Sequence, residues 1–272
     1  MALWLREAAL QVGASVYRLG ELDFSFKVTM EDGDKLPSCT CEIKNLSQDH
    51  RRSIQKGNLL IVNAGYEGDM GVLFAGEITS FYHSKAATEW VSSVLASPIA
   101  GRWLSAKINK TYRAGFASDI LKDLLRVFGV EVSQFSLKED KRYPRGKVCR
   151  GKLKDVLQEI VVKDCRSRFT IRNQSVFISA GASAANASQV LSESTGLLSA
   201  KSSKSELQVS GSTEDSAPKT DKVECLLNYH LSSGDLVSIQ CASLNGTYRI
   251  IRGKHEGSLS GAYKTSLEVT HV

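Results

Sequence analysis

Alternation of apolar and polar positions dominates the first third of the chain. Leu22, Phe24, Phe26 and Val28 alternate with Asp23, Ser25, Lys27 and Thr29, the period of two that sets one face of a strand on a core. Glu31-Asp-Gly33-Asp is a turn signal. Cys39, Cys41 and Ile43 then alternate with Thr40, Glu42 and Lys44, so the segment reads as a hairpin. Ser47 caps a short helical turn through Ile54, and Gly57-Asn58 opens a strand from Leu59 to Tyr66. Glu67-Gly68-Asp69 turns the chain, Val72 to Tyr82 returns it, and Thr88 to Ala96 forms a further strand. Consecutive strands joined by short turns predict a β-barrel or sandwich over residues 1–104.

The period changes over 105–180. Ser118 is an N-cap candidate; Ile120, Leu121, Leu124, Leu125 and Phe128 share a helical face, and Gly129 stops the helix. Leu153, Val156, Leu157 and Ile160 repeat the helical spacing. Strand-like segments follow each helix, at Val130–Ser133, and at Arg168–Ile171 with Val176–Ile178. This predicts a small α+β domain with its helices on one face of a short sheet. Gly181 to Ser188 reads as a linker and the Ser- and Thr-rich stretch 210–221 as a mobile loop. Weak alternation over Leu191–Val209 accommodates two strands. The β pattern then returns at Val223–Leu227, Leu236–Ala242, Thr247–Gly253 and Thr265–Thr270, giving a second β domain over 181–272.

The two β regions echo one another. Gly57-Asn58 before Leu59 matches Gly234-Asp235 before Leu236; Gly76 and Gly246 each open a second strand, and the segments end at His83 and His255. Glycine at such places admits turns or close approaches that a side chain blocks. Gly57, Gly76, Gly234 and Gly246 are therefore candidate structural turn glycines of a duplicated β fold.

Composition narrows the chemistry. The net charge is +6 over 272 residues and no apolar run reaches the ~20 residues of a membrane span. The first residues lack the basic start and apolar core of a secretory signal, which predicts assembly in a cytoplasm. Cys39, Cys41, Cys149, Cys165, Cys225 and Cys241 form no CxxC pair and have no histidine in ligand spacing, so they read as small buried hydrophobes and no metal is expected. The densest basic stretch, Lys141, Arg142, Arg145, Lys147, Arg150, Lys152 and Lys154, reads as a solvated loop and helix start. No nucleophile elbow, phosphate loop, zinc-protease or dinucleotide motif is present, so no catalytic residue and no cofactor is expected. Trp4, Trp90 and Trp103 read as core or interface residues rather than a sugar-stacking platform.

The order of elements carries a family likeness. It runs through Ile54-Gln-Lys-Gly57-Asn-Leu-Leu-Ile-Val, Val72-Leu-Phe74-Ala-Gly76-Glu-Ile78, Lys110-Thr-Tyr112-Arg-Ala-Gly115 and Gly146-Lys-Val148-Cys-Arg-Gly151. It closes with Cys225 to Val237, Leu244-Asn-Gly246-Thr-Tyr248 and Lys254-His255-Glu-Gly257. Over roughly residues 20–270 the chain resembles the central hub proteins of phage baseplates and related contractile injection systems. That resemblance implies two tube-type β-barrel domains flanking the small α+β domain, and a homotrimer whose six barrels ring one axis. Such a ring joins a hexameric tail tube to a trimeric spike, within a virion tail or baseplate among other baseplate proteins. It implies non-specific contact with DNA passing through the lumen, and neither enzyme activity nor membrane insertion. Two alternatives stay open: a carbohydrate-binding or cell-wall-acting module, and another tail ring component such as a distal tail protein.

Overall fold

A computed structural model describes residues 5–31, 36–98, 106–129, 131–172, 175–180, 189–202 and 220–272. Trp4, Trp103, the 181–188 linker, most of the 210–221 loop and the boundary at 104/105 lie outside them. The N-terminal β region comprises β1 (Arg6–Val12), β2 (Ser15–Arg18), β3 (Phe24–Glu31), β4 (Ser38–Lys44), α1 (Gln48–Ser53), β5 (Leu59–Tyr66), β6 (Asp69–Ala86) and β7 (Glu89–Ser97). The middle contains β8 (Lys107–Tyr112), β9 (Gly115–Phe116), α2 (Ala117–Phe128), β10 (Glu131–Phe135), β11 (Arg142–Tyr143), β12 (Lys147–Lys152), α3 (Leu153–Gln158), β13 (Arg168–Arg172) and β14 (Ser175–Ser179). The C-terminal region comprises β15 (Gln189–Ser192), β16 (Leu197–Lys201), β17 (Asp221–Leu226), β18 (Leu236–Gln240), β19 (Asn245–Ser258) and β20 (Tyr263–His271).

The alternating stretches behave as their patterns dictate. Phe24, Phe26, Val28, Cys39, Cys41 and Ile43 are all buried, while Lys27 and Glu42 face out. β3 and β4 pair with Val28 opposite Cys39 and Phe26 opposite Cys41. Ser47 caps α1 by accepting from the His50 N–H.

Both β regions belong to one thirteen-stranded sheet in the order β16-β17-β20-β19-β3-β4-β7-β6-β5-β1-β2, with β15-β18 branching from β19. The expected pair of separate closed barrels is not formed within the chain among the described residues. The cause is the length of β19. Its first residues pair with β18, its last seven, Arg252–Ser258, pair with β3, and β20 runs along its other edge. β19 thereby joins the two regions by hydrogen bonds. A bulge between Ile250 and Arg252 lets it bend from one neighbour to the next.

Three apolar clusters sit around this sheet. One fills the N-terminal region and includes Leu227 and Tyr263 from the C-terminal part; one lies in the middle; the third packs Val223, Val237, Ile239, Ile250, Leu267 and Val269, and takes Met30 from β3.

The middle region is α+β, as its periodicities predict. Ile120, Leu121, Leu124, Leu125, Leu153, Val156, Leu157 and Ile160 are all buried in its cluster, against sheets β10-β14-β13 and β12-β8. Gly129 closes α2 in the left-handed conformation at φ 65°. Two expectations need correction. α2 is capped at Phe116, not Ser118. Its first free N–H groups are met from distant chain, Ala117 by the Lys141 carbonyl at 2.9 Å and Ser118 by Asp140 Oδ1 at 2.9 Å, so no local side-chain cap is required. The second helix does not stay α-helical: past Gln158 it widens to a π-helix over Glu159–Asp164.

Candidate assembly interface

The four candidate glycines occupy different conformations. Gly57 and Gly234 both have φ 85°. Gly57 N–H donates to the Ile78 carbonyl at 2.9 Å, and Gly234 N–H to the Ile250 carbonyl at 2.8 Å. Ile78 N–H returns to the Asn58 carbonyl at 2.9 Å, and Ile250 N–H to the Asp235 carbonyl at 3.0 Å. The same two-bond clasp therefore opens both segments. Gly76 lies well inside β6, where a Cβ would stand 2.7 Å from the Phe74 ring and 2.9 Å from the Ser97 carbonyl carbon. Gly246 is the second residue of β19, at φ 133°. Pairing registers set Gly76 opposite Leu60 but Tyr248 opposite Val237, so the second pair of glycines does not coincide as the first does. Gly57→Ala is expected to lower stability by about 1–2 kcal/mol through the left-handed backbone alone, because nothing lies within 4 Å of its Cβ position. Gly76→Ala is expected to cost about 1–3 kcal/mol through crowding instead. Urea unfolding of the two variants checks both values.

The correspondence continues residue by residue. β5-β6-β7-β4-β3 and β18-β19-β20-β17-β16 follow the same neighbour order. β6 carries a bulge after Ile78 and β19 one after Ile250. Beyond the bulges His83 pairs with Ser92 and His255 with Thr265. His83 Nδ1 lies 2.9 Å from Ser92 Oγ, and His255 Nδ1 lies 2.8 Å from Thr265 Oγ1. The environments differ: His83 is half-buried, whereas His255 is 3% exposed. Burial pulls the His255 pKa down to about 4, despite a hydrogen bond to the Leu231 backbone that favours the charged ring.

Titratable groups elsewhere are tied into structural contacts. In the middle region two Lys-x-Tyr pairs each grip a helical aspartate. Lys110 Nζ and Tyr112 Oη both donate to Asp123 Oδ2 at 2.6 Å. Lys141 Nζ donates to Asp164 Oδ1 and Tyr143 Oη to Asp164 Oδ2, again at 2.6 Å. Lys110 and the Tyr112 hydroxyl hold the Asp123 carboxyl down near 2. Asp164 is also held low: burial pushes it up, but Lys141, Tyr143 and Lys147 outweigh that. The basic stretch 141–154 is thus not a plain solvated loop. It forms β11 and β12, and Lys147 is shared between Asp164 and Glu159. Sequence reading missed these clamps, although the repeated Lys-x-Tyr spacing is their signal. Cys39 and Cys41 are free thiols with their sulfurs 3.5 Å apart in the core, and burial raises the Cys39 pKa. Among the described residues no group of three or more His, Cys, Asp or Glu could hold a metal ion, and no helix is long and apolar enough to cross a membrane.

Two tyrosines bind the C-terminal region to the N-terminal one. Tyr263 Oη lies 2.6 Å from the Glu7 carbonyl, 2.7 Å from the Gly65 carbonyl and 3.1 Å from the Gly65 N–H. Tyr229 donates to Asp69 Oδ1 at 2.7 Å, and its ring covers Gly71, where a Cβ would stand 2.2 Å from Cε2. These contacts fix the β5–β6 hairpin against β20 and the 227–231 segment.

No family model and no curated protein sequence matches the chain. Solved structures do. The 43 kDa tail protein of prophage MuSo2 from Shewanella oneidensis superposes with TM-score 0.70 at 12% identity, covering 98% of both chains. A tail protein from Neisseria meningitidis MC58 gives 0.69 at 9% identity, covering 98% of this chain and 96% of that one. The E. coli c3393 protein, a type VI secretion component with structural similarity to the T4 tail proteins gp27 and gp5, gives 0.65 at 11% identity, covering 97% and 76%. The chain therefore has the fold shared by these phage tail and type VI secretion proteins.

Proposed function

We propose that the chain is the structural hub of a phage tail baseplate or tail-like injection machine. In this reading three copies form a ring in which two similar β units per chain, about 1–104 and 181–272, give six units around one axis. The units carry the six-fold symmetry of a tail tube on one face, and the three chains carry the three-fold symmetry of a spike on the other. Closed rotational symmetry with two quasi-equivalent units per chain satisfies both partners with a single sequence. The observation that carries the reading is the repeat at hydrogen-bond level: the Gly57 and Gly234 clasps, the bulges after Ile78 and Ile250, and the His83–Ser92 and His255–Thr265 pairs. The likeness to tail and secretion proteins over nearly the whole chain supports it from outside.

The role is one of shape and symmetry, with no chemistry asked of the side chains. The central passage is open to DNA or other cargo, and contact with DNA there needs no reading of its sequence. The 105–180 unit would sit outside the ring of β units, available to other baseplate proteins. Electron microscopy of the parent particle tests the role. The expected result is three copies on the central axis, where the tube meets the spike. A chain found off that axis, or on it in any other number, would overturn it.

A further inference from the structure

Among the described residues two strand edges of this chain have no strand against them, and the chain itself contains a template for joining them. β6 pairs with β5 through residues up to Glu77 and with β7 from Glu77 to Ala86, which leaves the other edge of its distal half without a partner strand. Among the described residues β16 pairs only with β17 and ends the sheet. The internal counterparts of these two edges are already joined. β19 occupies the place of β6 in the C-terminal repeat, β3 occupies the place of β16 in the N-terminal one, and Arg252–Ser258 of β19 pair antiparallel with Ser25–Glu31 of β3.

We infer that the distal half of β6 pairs antiparallel with β16 of a second copy of this chain, in the register of the internal β19–β3 seam. This rests on the ring reading above and specifies its contact. The register follows from matched pairings. Leu197 stands opposite Cys225 as Phe24 stands opposite Ile43; past the irregularity at Leu198, Ala200 and Lys201 take the places of Phe26 and Lys27. On the other strand Ser84 and Lys85 take the places of Glu256 and Gly257, counted from His83 and His255. Glu256 pairs with Lys27 and Gly257 with Phe26 inside the chain. Between copies, Ser84 is therefore opposite Lys201, and Lys85 opposite Ala200.

Side-chain size agrees with that register. At the internal seam the Phe26 ring occupies the space of a side chain at Gly257, where a Cβ would lie 2.2 Å from the ring. A lysine in Gly257's place would collide with it. Between copies the large and small members are exchanged: Lys85 stands where glycine was, and Ala200 where phenylalanine was. Ser84, Lys85 and Lys201 are exposed, and Ala200 is half-buried against the C-terminal cluster. One edge group already has a contact, since the Ser243 hydroxyl donates to the Ala200 carbonyl at 3.0 Å. A hydroxyl rotates away at small cost and does not block a strand. Unpaired edge donors and acceptors are otherwise a template for indiscriminate pairing, and a second copy removes both edges together.

The test is a double variant, Ser84→Cys with Lys201→Cys, in the full chain assembled into its particle. Directly opposed residues of antiparallel strands have Cα atoms about 4.5–5.5 Å apart, within the range that a disulfide spans. Mild oxidation is expected to convert monomer into covalent dimer and then closed trimer on a denaturing gel. Each single variant should stay monomeric. The shifted pair Ser84→Cys with Ser199→Cys should cross-link far less. If native mass spectrometry shows trimers while the Ser84–Lys201 pair cross-links no better than the shifted pair, the seam is wrong and the ring reading survives. If particles that contain the chain hold no trimer of it, the ring reading fails and the seam with it.

Discussion

Tyr263→Ala is expected to lower stability by about 3–5 kcal/mol, the range for removing a large buried aromatic side chain. Tyr263 is 5% exposed on the C-terminal strand but sits in the N-terminal cluster. Its ring meets Phe26 and Tyr66 edge-on, at centroid distances of 6.4 and 5.5 Å, and the Arg6 guanidinium stands 5.3 Å from its centroid. Edge-to-face pairs of this kind add to simple burial. Burial pushes the phenol up to about 12, so the hydroxyl stays protonated and can donate to the Glu7 or Gly65 carbonyl. Tyr263→Phe keeps the ring and removes that hydroxyl, and should cost about 1–3 kcal/mol by stripping partners from buried backbone groups. Chemical denaturation of both variants separates ring from hydroxyl. Equal losses would mean that the packing contributes nothing beyond the hydrogen bonds.

Acid is expected to weaken the fold well before carboxylates titrate, through His255. Its folded pKa is about 4, against about 6.5 for an ordinary histidine. As pH falls below 6.5 the unfolded chain takes up the proton first, so its protons outnumber those of the folded chain. Stability is therefore full above pH 6.5 and declines progressively towards pH 4, with a total loss of about 3 kcal/mol. Asp123 and Asp164 are held below the usual carboxylate range, so their contribution is lost only at lower pH. His255→Gln retains a hydrogen-bonding side chain and should flatten the slope between pH 6.5 and 5. Urea midpoints taken across that interval for both proteins decide the matter, and an unchanged slope in the variant would assign the acid sensitivity elsewhere.

The legible parts of the fold were those whose local pattern and tertiary environment agree. β3 and β4 alternate because one face meets the core, and Ser47 and Gly129 end helices by chemistry carried within a few residues. β1 was not legible: in Arg6-Glu-Ala-Ala-Leu-Gln-Val12 the buried places are Ala8, Leu10 and Val12, and the adjacent Ala8 and Ala9 leave too weak an alternation to stand out. β8 and β12 were hidden for a related reason. They bury Ile108 and Cys149 but are otherwise mostly exposed and basic, so they resemble a solvated loop. The start of α2 escaped because its caps, Asp140 and the Lys141 carbonyl, lie more than twenty residues away. In the candidate interface, the Gly57–Gly234 echo was visible as glycine before a polar residue and a strand. Matching Gly76 with Gly246 followed spacing from the turns, whereas the actual match depends on cross-strand register, which a single chain's spacing does not encode. The open edges of β6 and β16 are likewise properties of pairing order.

Imaging the assembled ring by electron cryo-microscopy, averaged with no symmetry imposed, tests the central claim most directly. Three chains showing six similar β lobes, with the 105–180 unit repeating only three times outside them, is the predicted result. Six chains, or three chains with only three β lobes around the axis, would contradict it.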